Sequence, residues 1–139
     1  MPGPDRPGPD RVAEFRAAGR TLFSLALVKG SEGNLSVFDG RTLVITRSGV
    51  SLAEIEPADL VVGALGADLP GASVDLEEHR RLYGRRVPGA IVHAHPPVTV
   101  SEGAVGPGAH GVYAYAYELE AAVEEVVRST RRDVGRTRR

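Results

Sequence analysis

The sequence contains no cysteine among its 139 residues. Disulfide bonds, thiolate metal ligands and cysteine nucleophiles are therefore excluded, so nitrogen and oxygen atoms must hold any bound metal. No apolar run approaches the roughly 20 residues that a membrane-spanning helix needs. The formal net charge of -1 gives no reason to expect nucleic acid or an acidic membrane as a partner. The N-terminal residues also lack the basic start and apolar stretch of a signal peptide, so we expect a soluble, cytoplasmic protein.

Composition divides the chain into two terminal segments and one central domain. Residues 2–6 and 7–11 repeat the pentapeptide Pro-Gly-Pro-Asp-Arg, in which proline and glycine prevent a helix and nothing is apolar enough to pack. We predict a disordered tail over residues 1–10, a single domain over 11–132 and a basic C-terminal tail over 133–139. The arginines of the C-terminal tail are typical of a solvated chain end, and a nucleic-acid-binding arm is the alternative.

The spacing of apolar residues predicts three helices and several short strands. Apolar residues recurring every three or four positions indicate helices over 11–28, 75–85 and 118–131. Two β-rich runs that flank Asp39 and Gly40 indicate a hairpin. The predicted strands are residues 34–38, 42–46, 60–62, 90–94 and 111–117. A mixed sheet with helices packed against it, an α/β fold, is the natural assembly of these elements.

His93 and His95 lie two residues apart on a predicted strand, so their side chains share one face. Buried imidazoles need polar partners, and charging both would bring like charges together. A shared metal ion resolves both problems, because neutral imidazole is a common ligand of zinc and related ions. Two separately hydrogen-bonded histidines are the alternative.

His110 is a candidate third ligand. It precedes Gly111 at the start of another predicted strand, from which it could converge on His93 and His95. Three histidines with an open fourth position are typical of catalytic zinc. His79 lies in the middle of a predicted helix among apolar positions, and we interpret it as structural.

Six segments resemble motifs of one protein family and occur in that family's order. They are residues 30–36 (GSEGNLS), 45–49 (ITRSG), 57–61 (PADLV), 73–79 with Tyr83 (SVDLEEH), 90–96 (AIVHAHP) and 109–112 (AHGV). The chain is thereby similar to the class II aldolase and adducin family, close to its fuculose-phosphate aldolase and ribulose-phosphate 4-epimerase branches, as a shortened member. The resemblance implies a three-layer α/β/α fold with a mixed, mainly antiparallel central sheet. It also implies a homotetramer with sites near subunit contacts.

The same resemblance implies a metal-dependent lyase. Its metal would be a divalent ion, zinc first with manganese or cobalt as alternatives, bound by His93, His95 and His110. An aldolase of this kind cleaves a small phosphorylated sugar or aldehyde in a retro-aldol step, through an enediolate that the metal stabilises. A 4-epimerase of the same family and a non-catalytic metal-binding member are the alternatives.

A phosphate pocket is a further implication of the resemblance. The positions that hold the substrate phosphate in the family match Gly33, Asn34, Ser48, Gly49 and Ser73. Glycine lets backbone N–H groups approach an anion, and hydroxyl and amide groups donate to its oxygens. Two ordinary turns and a helix cap are the alternative.

The sequence departs from the family pattern at several positions. Asp75 stands where most aldolases of the family carry a catalytic glutamate, and aspartate resembles the 4-epimerase branch; a helix N-terminal acid is the alternative. Val74 replaces a serine and Arg47 a proline, and we hypothesise that Arg47 returns a positive charge for an anion. Only 14 residues separate His95 from His110, an interval in which relatives carry a proton-donating tyrosine. We do not transfer that role to Tyr113 or its neighbours.

Overall fold

Three helices and one sheet form the part of the chain that the computed structural model describes, residues 6–84, 87–95, 107–108 and 111–137. The helices are α1 (Pro9–Ser24), α2 (Leu76–Tyr83) and α3 (Leu119–Thr137). The strands are β1 (Asn34–Phe38), β2 (Thr42–Thr46), β3 (Leu60–Ala64), β4 (Gly89–Ala94), β5 (Pro107–Gly108) and β6 (Gly111–Ala116). They lie in the order β3-β2-β1-β4-β6-β5. The sheet, predicted as mixed and mainly antiparallel, is antiparallel in every pairing of these strands.

The two faces of the sheet are covered by different helices, which makes three layers. Phe15 of α1 and Val126 of α3 belong to a buried cluster with Val92 of β4. On the opposite face, Tyr83 of α2 packs with Ile91 of β4 in a second cluster. Alternation along β4 therefore divides its side chains between two cores. Complete burial of one such large apolar side chain stabilises the fold by about 1.5–3 kcal/mol. The α/β/α prediction is confirmed.

The predicted hairpin forms with the predicted strand ends, and its turn explains why. The Asp39 carboxylate accepts hydrogen bonds from the backbone N–H groups of Arg41, at 2.8 Å, and Thr42, at 2.7 Å. Gly40 supplies the positive φ of 97° that the tight connection requires.

Helix ends differ from the predicted ones. The first helix begins at Pro9, because proline suits the first turn of a helix. It ends at Ser24 rather than at residue 28, and Ala26 then adopts a positive φ of 59°. The last helix continues to Thr137, into the segment predicted as a basic tail. Within the described residues, no helix is both long enough and apolar enough to cross a bilayer.

Candidate active site

The start of β1, the end of β4 and the start of β6 meet at one edge of the sheet. Asn34 pairs with His93, and His93 pairs with Tyr113. Residues that pair directly across strands point to the same face, here the face that α2 covers. Asp75 precedes α2 as its N-terminal flanking residue, and its Oδ2 lies 2.7 Å from Nδ2 of Asn34. Three strands and one helix therefore contribute polar side chains to a single site.

His93 and His95 lie side by side, as their spacing predicts. Their ring centroids are 4.8 Å apart and their planes are inclined by 36°. The backbone N–H of His95 donates to the carbonyl of Leu27 at 2.8 Å, which ties the end of β4 to the segment after α1. The third predicted ligand, His110, lies outside the described residues. Among the residues that are described, no three His, Cys, Asp or Glu side chains form a metal-binding group on their own.

The carboxylate of Asp75 orients the imidazole of His93. Nδ1 of His93 lies 3.0 Å from Oδ2 of Asp75. Because an ionised carboxylate can only accept, Nδ1 carries the proton and donates it, which leaves Nε2 with the lone pair that a metal requires. Histidine ligands of metals ordinarily donate their other ring N–H to a carboxylate, a backbone carbonyl or water. The donor set of the predicted site therefore fits a divalent metal.

Asp75 is held as an anion by its neighbours. Partial burial acts to raise the pKa of its carboxyl, but the hydrogen bond from Asn34 and the interaction with His93 outweigh it and lower the pKa. Asp75 also acts on Tyr113. Burial, followed by the negative charge of Asp75, raises the pKa of the Tyr113 hydroxyl. At neutral pH the site thus contains a charged carboxylate beside a neutral phenol.

A buried chain of hydrogen bonds supports Asp75 from behind. Asn34 donates through Nδ2 to Asp75, so its Oδ1 accepts from Nε2 of His79. Nδ1 of the neutral His79 then accepts from Ser36 Oγ at 2.6 Å, and Ser36 accepts from the Tyr83 hydroxyl at 2.8 Å. Each group in this chain donates to the next group on the side of Asp75. The Asn34 amide therefore has a single orientation that satisfies all of these hydrogen bonds. Both polar atoms of the Asn34 side chain are thus hydrogen-bonded within this chain, and its contact with phosphate stays a prediction.

Tyr113 belongs to the site, although the sequence analysis gave it no role. Its ring stacks on His93 with centroids 4.1 Å apart and planes inclined by 13°. The sequence offered one signal: Tyr113 alternates with apolar residues on a strand next to His110. That signal did not identify which strand β6 pairs with, or in which register.

Two glycines make room at this edge. Gly33 has a φ of 82°, and a Cβ there would lie 2.8 Å from the carbonyl oxygen of His93. At Gly111 a Cβ would overlap the carbonyl oxygen of Ala94 and lie 3.1 Å from Nε2 of His93. A side chain at either position would displace the β4 backbone that carries the histidines.

Ser48, Gly49 and Ser73, which are predicted to bind phosphate, lie beside the end of β2. They are therefore on the opposite side of β1 from the histidines of β4. The backbone N–H of Ser48 donates to the carbonyl of Gly71 at 2.9 Å, and that of Ser73 donates to Thr46 at 3.0 Å. These bonds bring Ser48 and Gly49, after β2, together with Ser73, before α2. Gly49 has a φ of 80° and open space where a side chain would be.

Comparison with known proteins identifies the family of the chain. The family model for the "Class II Aldolase and Adducin N-terminal domain" matches residues 13–108. The chain belongs to the class II aldolase and adducin family. Within this family, the chain is 38% identical over 84 residues to the 5-methylthioribulose-1-phosphate/5-deoxyribulose-1-phosphate aldolase of Rhodospirillum rubrum, covering 58% of the chain and 38% of that relative.

Two further matches are a protein named as a dehydratase and a solved structure of an aldolase. The methylthioribulose-1-phosphate dehydratase of Bradyrhizobium sp. is 37% identical over 81 residues, which are 56% of this chain and 38% of that protein. A solved L-fuculose 1-phosphate aldolase matches with a TM-score of 0.75 and 26% identity, covering 93% of this chain and 87% of that one. The chain thus matches less than half of the length of the Rhodospirillum rubrum and Bradyrhizobium relatives. The family includes both aldolases and dehydratases.

Proposed function

We propose that this protein is a metal-dependent lyase that cleaves a small ketose phosphate by a retro-aldol reaction. The observation that carries the proposal is the contact between Asp75 and Nδ1 of His93, beside His95 on the same strand face. A histidine that binds a metal ordinarily donates its other ring N–H to a partner that fixes its orientation, and Asp75 is such a partner for His93. The family membership and the sugar-phosphate names of the relatives support the substrate class.

The metal would be held by His93 and His95, with His110 as the third ligand. Zinc suits nitrogen ligands, and manganese and cobalt are alternatives that imidazole does not exclude. When bound, a divalent ion supplies Lewis acidity that polarises a substrate carbonyl.

Asp75 is the proposed proton carrier. It is partly exposed, whereas the neighbouring Asn34 and His93 are buried. Its carboxylate would take the proton from the substrate hydroxyl as that oxygen becomes the carbonyl of the departing aldehyde. The electron pair of the broken C–C bond passes to the retained fragment, to which a proton then returns.

The anion of the substrate would be held by the loops after β2 and before α2. The hydroxyl groups of Ser48 and Ser73 and the backbone around Gly49 would supply donors, and the backbone around Gly33, just before β1, would add to them. A phosphate bound there would fix the sugar at one end, so that the reacting carbons lie toward the histidines on β4.

Dehydration is a second candidate, favoured by the dehydratase name of the Bradyrhizobium relative. Removal of water from a ketose phosphate also begins with a polarised carbonyl and a carboxylate base, so the same residues would serve. The 4-epimerase, which the aspartate at position 75 resembles, shares the retro-aldol step and differs only in how the fragments recombine. Product analysis separates the three reactions.

The test is an assay of the full chain loaded with Zn²⁺, Co²⁺ or Mn²⁺ on 5-deoxyribulose 1-phosphate and fuculose 1-phosphate. We expect the release of dihydroxyacetone phosphate and an aldehyde, detected by nuclear magnetic resonance. A dehydrated ketose or an epimerised sugar would instead identify the alternatives. A metal-loaded protein that turns over neither substrate in any of these ways refutes a sugar-phosphate enzyme.

A further inference from the structure

We infer that Tyr113 is a positioning residue of the candidate metal site. It holds the ring plane of His93 in a fixed orientation relative to the carboxylate of Asp75. The inference rests on the metal assignment of the proposed function, but not on the reaction. It concerns a residue of this chain that lies on β6, opposite His93.

The geometry of the aromatic contact carries the inference. The Tyr113 and His93 rings are nearly parallel, with planes inclined by 13° and centroids 4.1 Å apart. His95 lies against the same imidazole at 4.8 Å. The rings of Tyr113 and His95 therefore both restrict the ring of His93. Rotation of His93 about its side-chain bonds would require Tyr113 to move.

Tyr113 is itself fixed by its surroundings. Its side chain is only 4% exposed, and its ring meets the edge of His79 at a centroid distance of 5.9 Å. His79 belongs to the hydrogen-bonded chain that ends at Asp75. The hydroxyl group of Tyr113 also interacts with the Asp75 carboxylate. The ring of Tyr113 thus contacts His93 and His79, and its hydroxyl group interacts with Asp75, to which both histidines are linked by hydrogen bonds.

A residue in this place controls the direction of a ligand atom without binding the metal. Partners outside the ligand set typically change metal affinity by about 10–100-fold when they are removed. The flat ring does the larger part of this work here, because it restricts the imidazole directly. The hydroxyl group does a smaller part, through Asp75.

The test compares Zn²⁺ and Co²⁺ affinity of the full chain, by competition with a chromophoric chelator, for Tyr113→Phe, Tyr113→Leu and a matched control. Tyr115→Leu is the control, since Tyr115 lies on the same face of β6 and donates to the Pro88 carbonyl at 2.9 Å, away from the histidines. We expect Tyr113→Phe to stay close to the native affinity, Tyr113→Leu to lose about 10–100-fold, and Tyr115→Leu to remain native.

Equal losses in Tyr113→Leu and Tyr115→Leu would overturn the inference, since they would reflect general destabilisation of β6. Native affinity in Tyr113→Leu would overturn it too, as would a native chain that binds neither ion. If circular dichroism shows that Tyr113→Leu does not fold, Tyr113→Met replaces it, because methionine keeps much of the volume without a flat ring. A chain whose metal affinity depends on Tyr113, but which turns over no sugar phosphate, keeps this inference and loses only the proposed function.

Discussion

Nδ1 of His93 and Oδ2 of Asp75 lie 3.0 Å apart, and this contact joins the strand of the candidate metal site to the helix that carries the candidate base. The same oxygen of Asp75 also accepts from Asn34 at 2.7 Å. The orientation of His93, the proposed metal ligand, therefore depends on the same carboxylate that is the proposed base, so that a single substitution at Asp75 affects both roles.

Asp75→Asn should reduce turnover far more than it reduces substrate binding. A general acid or base typically contributes about 10²–10⁴-fold to a rate, and loss of the carboxylate beside His93 should also weaken metal affinity about 10-fold. Steady-state kinetics at saturating Zn²⁺ would show a lower kcat with little change in KM. Asp75→Glu keeps the charge and serves as the control; native turnover in Asp75→Asn would remove Asp75 from the chemistry.

Replacement of His93 and His95 together by alanine should abolish metal binding. Both rings lie on one face at the end of β4, so the double variant removes the pair around which the proposed site is built. Metal analysis of the purified protein after dialysis should fall from one equivalent to near zero. Tyr117→Ala is the control, because that side chain is 79% exposed; an unchanged metal content in the double variant would show that the metal binds elsewhere.

His79 should make the protein less stable in mild acid. Burial, and then the electrostatic interaction with His93, lowers the pKa of His79 to about 3 in the folded state, whereas an unfolded histidine titrates near about 6.5. Between these values the unfolded chain binds the extra proton. The stability that this group contributes is therefore fully present above about pH 6.5 and is lost as the pH falls toward 3.

Urea unfolding followed by circular dichroism, from about pH 7.5 down to about pH 5, measures this effect. Other titrating groups contribute to the slope, so the comparison is between the native chain and His79→Gln. Glutamine can donate and accept in the same hydrogen-bonded chain but has no proton to gain. We expect a clearly shallower slope in the variant; equal slopes would mean that His79 is not the group responsible.

Arg47 should contribute to the binding of an anionic substrate. Its Nε donates to the Ala58 carbonyl at 3.0 Å, and a Cβ at residue 71 would lie 2.5 Å from Nη1, so Gly71 leaves space for the guanidinium. The charge is thereby placed beside the loop that leads to Ser73. Arg47→Ala should raise KM for the sugar phosphate about 10-fold, whereas Arg41→Ala, in the β1–β2 turn at the far end of the sheet, should not. Equal effects, or no effect of Arg47→Ala, would refute this role.

The hairpin and the shared face of the two histidines could be predicted from the sequence, because each depends on residues that are close together in the chain. Two β-rich runs, residues 34–38 and 42–46, flank Asp39 and Gly40 and indicate a hairpin, whose turn bonds are made within four residues. The paired histidines were readable for the same reason, since residues two apart on a strand must share a face.

Contacts between residues that are far apart in the sequence could not be predicted in this way. Asn34 and His79 are 45 positions apart, and no spacing rule connects a strand residue to a helix residue over that interval. The role of Tyr113 depends on its pairing with His93; a shift of one residue between β4 and β6 would turn it to the other face. The end of α1 was missed because Ala26, and not the glycine expected at such a position, takes the left-handed backbone conformation that ends the helix, where the N–H of Leu27 donates to the carbonyl of Leu22 at 2.9 Å.

The position of β1 sets a length scale for the substrate. β1 lies between β2, which leads into the Ser48 loop, and β4, which carries the histidines, so these two features are separated by two strand spacings, about 10 Å. Bonds to a metal at one end and hydrogen bonds to the anion at the other would take up part of this distance, so that a small phosphorylated sugar spans what remains. The width of one strand therefore sets the distance between the two parts of the proposed site and favours short-chain phosphorylated sugars. A sugar that is shorter or longer by one carbon should change kcat more than KM.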